Sequence, residues 1–239
     1  MTDVPSDVIE QLAPQGKLRA AINLGNPVLA QGTRDAPRGV TVDLARELAR
    51  RTSLALDLVP FDAAGKVFET LKRDAWDVAF LAIEPVRAAE IAFTAPYVII
   101  EGVYLVPRDS RIERVADVDR PGVRIGVNKN SAYDLFLTRT LKDAELVRGE
   151  NGVQLFVEQK LEAAAGVKQP IAAYAKAHPE VRLIDGRFME IRQAMGVPQG
   201  RPAAADYLKQ FVEEMKASGF VADALNRSNQ PDAAVAPPA

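Results

Sequence analysis

A chain of 239 residues with 48% hydrophobic and 26% charged side chains and a formal net charge of −2 has ordinary globular composition, enough for one large core or two modest ones. With no cysteine, a disulfide framework and thiolate chemistry are excluded, and the single histidine, His178 in a turn-like AHPE, argues against a His-based metal site or triad, so no metal or cofactor is expected and any catalysis is expected to use carboxylates, Lys, Tyr or Ser. No Lys/Arg run is dense enough to track phosphates, and no apolar stretch approaches the ~20 residues of a membrane span, so neither nucleic acid nor membrane insertion is expected.

Val4 to Leu12 reads as a short amphipathic helix ending near Pro14-Gln15-Gly16. The opening MTDVPSDVIEQLAPQG has no basic or apolar region and no cleavage site of a secretory leader, so the expected location is cytoplasmic, or periplasmic if a leader has been trimmed. Lys17 to Leu24 alternates enough for a first strand, and Gly25-Asn26-Pro27 turns the chain. Beyond Gly39, Leu44 and Leu48 with Ala45 and Ala49 fall at helical spacing, and Asp43 sits in the first turn, where a carboxylate suits the helix dipole. Ala55 to Phe61 is a second strand, and a helix anchored on Val67 to Leu71 leads through Asp74-Ala75-Trp76-Asp77 to a third. Strand, helix, strand in this order makes a parallel α/β sheet, which binds ligands at the carboxyl ends of its strands.

The third strand, Val78 to Ile83, is too short and too flatly apolar for an amphipathic helix and reads as buried on both faces. Glu84-Pro85 breaks it, and Val86 to Ile91 makes a helix whose first turn carries Arg87. An arginine beyond the carboxyl end of a buried strand, beside backbone N–H groups, suits an anion; the plainer reading is a surface arginine paired with Glu84 or Glu90.

Val98 to Val106 is again apolar and β-rich. Val115 to Val118 starts a short helix, Pro121-Gly122 turns, and Val123 to Val127 is a strand. The loop Asn128 to Ala132 then opens a helix, Tyr133 to Leu141, a second end that favours an anion. Ile171 to Ala177 is helical and Val181 to Ile184 extended. Ala203 to Ser218 carries Tyr207, Phe211 and Met215 on a core-facing stripe, Val221 to Asn226 is a further helix, and the Pro- and Ala-rich tail 230–239 is expected to be flexible.

The run Asp77 to Tyr97, with Arg87 followed by Phe93-Thr94-Ala95-Pro96-Tyr97, strongly resembles the bacterial extracellular solute-binding proteins of family 3, the polar amino-acid-binding branch of the type II periplasmic-binding-protein fold. Gly39-Val40-Thr41-Val42-Asp43-Leu44-Ala45 also resembles a family motif, and the likeness runs from roughly residue 16 to 228. It implies a two-lobed α/β fold, each lobe a mixed, mostly parallel sheet flanked by helices. Lobe one would be 1–104 plus 196–239 and lobe two 105–195, with two hinge crossings that let the lobes close on a ligand. The implied function is a monomeric binder of a small carboxylate-bearing solute serving the membrane components of an ABC transporter.

By the same resemblance Arg87 holds the carboxylate, helped by the backbone of Ala82, Ile83 and Glu84 and by Asn130, Ser131 and Ala132, while Asn23, Asn26 and Phe80 shape the pocket. Ala82, Glu84 and Ala132 replace small hydroxyl residues and Asn130 replaces a glycine, so the specificity departs from that of an ordinary polar amino-acid binder. The family's ammonium-binding aspartate falls on Glu158 in one register, preserving amino-acid binding, and on Gln159 in another, favouring a ligand without that charge. Two alternatives accompany this reading. One is a cofactor-independent dehydratase like cyclohexadienyl dehydratase, of the same fold, with Glu162 as its acid; the other is a cytoplasmic ligand carrier or sensor.

Overall fold

A computed structural model describes residues 4–239. The chain forms two compact units, one comprising the chain up to Ile99 together with Arg192–Ala239, the other Ile100–Ile191. Both divisions fall a few residues before 104 and 196, because the chain passes between units inside continuous strands, Ile91–Pro107 and Met189–Pro198, rather than in loops.

In the first unit the strands lie in the order Leu56–Phe61, Leu18–Asn23, Val78–Ala82 and Met189–Pro198; the first three are parallel and the last runs against them. Every residue of Val78–Ala82 is buried, which explains its unbroken apolar run. The helix Val40–Thr52 buries Leu44 and Leu48, each contributing about 1.5–3 kcal/mol of transfer free energy, and stops at Ser53 in the left-handed conformation. Asp43 ties this helix to Arg227 at 2.9 Å, a structural role. A core of Ala21, Val67, Trp76, Ala79, Leu81 and Ile91 fills one face of the sheet, where the Trp76 indole donates to the Val67 carbonyl at 2.9 Å.

Two expectations change here. The helix after Glu84 covers only Pro85–Ala88, because Ile91 already belongs to the long strand Ile91–Pro107. Ile91 and Phe93 pack over Gly196, where a Cβ would stand 2.5 Å from Ile91 Cγ2, so a glycine lets them approach the return strand. The tail is not loose: Ala234–Val235 pairs antiparallel with Val98 and Ile99, Ala236 N–H donates to the Tyr97 carbonyl at 3.1 Å, and Lys216 Nζ donates to the Pro237 carbonyl at 2.8 Å. Composition suggested disorder, but backbone pairing does not require a large side chain.

In the second unit, the strand residues Gly102 to Leu105 pair antiparallel with Ala163–Val167, which runs parallel to Arg124–Asn128, and that in turn parallel to Glu145–Gly149. Val181–Leu183 pairs along the other stretch of the long strand, from Leu105 to Pro107. Val103, Leu105, Phe156, Leu161, Ala164, Ile171 and Val181 form the core. The helix Gly152–Glu158 sits close on Arg124–Asn128 because two glycines meet, a Cβ on Gly126 falling 2.2 Å from the Gly152 carbonyl oxygen.

Candidate functional site

The carboxyl ends of the first unit's parallel strands collect several of the expected residues. Asn23 ends Leu18–Asn23, Asn26 lies in the loop that follows, and Ala82 ends the neighbouring strand before Ile83, Glu84 and Arg87. Arg87 is 1% exposed and is not a surface residue. Its amide donates to the Glu84 carbonyl at 2.9 Å, and its Nη1 reaches back to the Ala82 carbonyl at 3.2 Å. Burial lowers its pKa to about 10, and buried Glu84 only partly offsets this. Arg87 is thus a buried guanidinium beside a buried acid at the carboxyl end of the strand.

The backbone beside it is less available than expected, since the Ile83 amide donates to the Arg192 carbonyl at 2.9 Å. Asn23 Oδ1 accepts from Gly25 N–H at 3.0 Å and Asn26 Oδ1 from Val28 N–H at 3.3 Å, so each asparagine carbonyl closes its own turn. What these residues can offer a ligand is a side-chain NH₂. Phe80 departs from the expected pocket-wall role: it is 2% exposed and packs edge-on against Tyr97, with ring centroids 6.2 Å apart, inside the unit's core. Tyr97 has a buried hydroxyl with no hydrogen-bond partner, and burial pushes its pKa upward.

In the second unit the strand Arg124–Asn128 runs into Asn130, Ser131 and the helix Ala132–Thr140. The expected anion-favouring helix end already holds an anion of the chain's own. Asp134, 2% exposed, accepts from Asn130 N–H at 2.8 Å and from Arg148 Nε at 2.8 Å, while its own amide donates to Ser131 Oγ at 3.1 Å. A side chain in the first turn therefore takes up the Asn130 amide, while the Ser131 amide donates to the Asn128 carbonyl at 3.1 Å. Ala132 is buried behind them.

Glu158 and Gln159 do not lie at a carboxyl end in either register. Both are exposed at the close of the helix Gly152–Glu158, where Glu158 accepts from Gln154 Nε2 at 2.7 Å, a one-turn helix-surface bond. The following strand is Ala163–Val167, so its carboxyl end delivers Lys168, a residue not anticipated from the sequence. Lys168 Nζ stands 2.6 Å from Glu101, whose other oxygen accepts from Arg187 at 2.9 Å.

Glu162 precedes the same strand and lies at its amino end. It accepts from Arg124 N–H at 2.8 Å and from the guanidinium at 2.9 Å through each oxygen. Arg124 holds its carboxyl below the usual range, opposite to what a proton-donating acid needs, so the catalytic assignment fails. Among the described residues no group of three or more His, Cys, Asp or Glu is placed to hold a metal, and no helix is long and apolar enough to cross a membrane.

Residues 18–228 match the family described as bacterial extracellular solute-binding proteins, family 3. No curated protein matches the chain. Among solved structures, the amino acid ABC transporter substrate-binding protein AbpA from Streptococcus pneumoniae, bound to L-arginine, is similar with a TM-score of 0.76 at 16% identity, over 93% of this chain and 98% of that one. A putative ABC-transporter binding component from Wolinella succinogenes, complexed with lysine, gives 0.74 at 20% identity, over 89% and 95%. The ancestral amino acid-binding protein AncCDT-1, a precursor of cyclohexadienyl dehydratase, gives 0.74 at 21% identity, over 92% and 98%. These likenesses establish the two-lobed type II periplasmic-binding-protein fold. The family match also overturns the cytoplasmic location: the family is extracellular, and that expectation rested on an opening stretch outside the matched residues.

Proposed function

The chain belongs to the bacterial extracellular solute-binding proteins of family 3, and on that premise we propose that it binds a small carboxylate-bearing solute, an amino acid or a related organic acid, for delivery to an ABC transporter. One observation carries the carboxylate: the buried Arg87 at the carboxyl end of Val78–Ala82, a planar guanidinium whose fork of donors matches a carboxylate. Asn23 and Asn26, at the same end of that unit's sheet, add amide donors for the rest of the ligand. The similar structures that carry amino acids, L-arginine in AbpA and lysine in the Wolinella succinogenes protein, support a ligand of this size.

A thermal-shift screen of the full chain against amino acids and matched organic acids tests the reading. A true ligand at 100 times its dissociation constant stabilises the fold by about 2.7 kcal/mol, a readily measured shift. Arg87→Lys, which keeps the charge but loses the bidentate fork, should weaken every hit, and Arg87→Ala should abolish them while the far-UV spectrum is retained. Hits unchanged in both variants would overturn the assignment.

A further inference from the structure

We infer that the first unit carries a second small-molecule site, among its helices rather than at the carboxyl ends of its strands, which takes a monocarboxylate borne on an apolar ring. This site goes beyond the reading of Arg87, and every residue in it belongs to the first unit.

The site is a half-open cavity of about 570 Å³, inside the roughly 300–1,000 Å³ of small-molecule pockets. It forms where three helices meet. Ser6–Leu12 is fastened to the start of Pro202–Ala217: Gln11 Oε1 accepts from the Ala204 amide, and the Gln11 carbonyl from Arg201 Nη1, each at 3.2 Å. The last turn of Val40–Thr52 supplies the third side. Val4, Pro5, Val8 and Ala203 make an apolar wall, and the half-buried Tyr207 adds an aromatic ring to it. An aromatic side chain among aliphatic ones suits a ligand ring.

The polar side decides the charge. Arg50 and Arg51 line it together with Asp206, Gln210 and Glu214. The acids are already engaged, Asp206 accepting from Lys209 at 2.8 Å and Glu214 from Arg51. Glu47 accepts from Arg50 Nε at 2.8 Å, Arg50 Nη2 at 2.7 Å and Arg51 Nε at 2.9 Å, and this pairing lowers its pKa, so it stays ionised. Arg51 also lies over the Phe211 ring, 5.4 Å from its centroid. Both guanidiniums are therefore held in place without a ligand. Among the described residues, the lining donors left without a hydrogen bond are Arg50 Nη1, Arg51 Nη2, the Tyr207 hydroxyl and the Gln210 amide. An ammonium entering here would have to displace a cation from an acid, whereas a carboxylate meets two fixed guanidiniums with donors to spare. Arg50, Arg51 and Lys209 balance Glu47, Asp206 and Glu214, so no net positive field is present to hold a polyanion such as phosphate.

The test is calorimetric titration of the full chain and of its Arg87→Lys variant with three probes: hydrocinnamate, phenethylamine, which keeps the ring and reverses the charge, and propionate, which lacks the ring. Hydrocinnamate should bind both proteins with the same affinity, and the other two at least tenfold more weakly. Arg50→Gln, at an exposed position, should weaken hydrocinnamate at least tenfold and Tyr207→Ala at least fivefold, with far-UV spectra retained. Absence of hydrocinnamate binding, its loss in Arg87→Lys, phenethylamine binding as tightly, or an affinity unchanged in both Arg50→Gln and Tyr207→Ala would each overturn the inference. None of these results touches the reading of Arg87, which stands or falls on the separate screen of amino acids and organic acids.

Discussion

Arg19 grips Asp77 through two bonds, Nε to Oδ2 and Nη2 to Oδ1, each 2.9 Å long, between neighbouring strands of the first unit. Asp77 is fully buried and also accepts from the Arg19 amide and from Arg201 at 3.1 Å each, so its charge is matched on every side. The cluster lies at the amino ends of these strands, opposite Arg87. Asp77→Ala should leave two arginine charges under-compensated and cost about 3–5 kcal/mol by urea denaturation. Ligand affinity in the surviving folded protein should be unchanged; a specific loss of affinity would mean that the two ends of the sheet are not independent.

Glu162→Gln separates a structural acid from a catalytic one. The Arg124–Glu162 pair is more than one-third exposed, so its loss should cost no more than about 1 kcal/mol. Binding should persist in the variant, and nuclear magnetic resonance of the released ligand should show it chemically intact in both proteins. Turnover by the parent chain that disappears in Glu162→Gln would restore the dehydratase alternative.

Tyr97→Phe removes a hydroxyl that is buried without a partner, and such a group carries a desolvation penalty of about 1–3 kcal/mol. The variant should be as stable as the parent or more so in thermal melts. If its affinity for the ligand falls while stability rises, the hydroxyl meets the ligand directly; a loss of stability would show that the hydroxyl is satisfied in the folded protein.

Acid stability should depend on Glu47. Hydrogen bonds from Arg50, and then from Arg51, hold its carboxyl at about 2, below the unfolded value of about 4.3. A pKa lowered by folding contributes stability that is complete above the unfolded value and lost as pH falls towards the folded one. Urea midpoints should therefore decline between about pH 4.3 and 2, and more shallowly in Glu47→Gln. Parallel profiles for parent and variant would assign the decline to other carboxylates.

Arg87 was legible because its signal is local: five buried apolar residues, then a proline suited to a helix start, then the arginine within the same turn. The strand Ala163–Val167 was not. The helix before it ends through Lys160 with φ of 47°, a left-handed turn made by a residue that does not advertise one. The strand itself, Ala-Ala-Ala-Gly-Val, has weak β propensity because its buried residues must be small, as Gly166 against Ile171 illustrates. With neither boundary marked, both registers fall short of the strand, on Glu158 and Gln159 at the close of the preceding helix. Asp134 escaped notice for another reason, since an acid in the first turn of a helix reads as ordinary dipole complementation until its partners are known.

The short pairing of Ala234–Val235 with Val98 and Ile99 occupies backbone groups that would otherwise present an open edge. An open, apolar β edge is a template on which a second chain can add a strand, and Pro237 and Pro238, beyond Ala236, have no N–H with which to extend the ladder. Ala234 and Val235 thus cover that edge, and replacing either with proline would leave part of it unpaired.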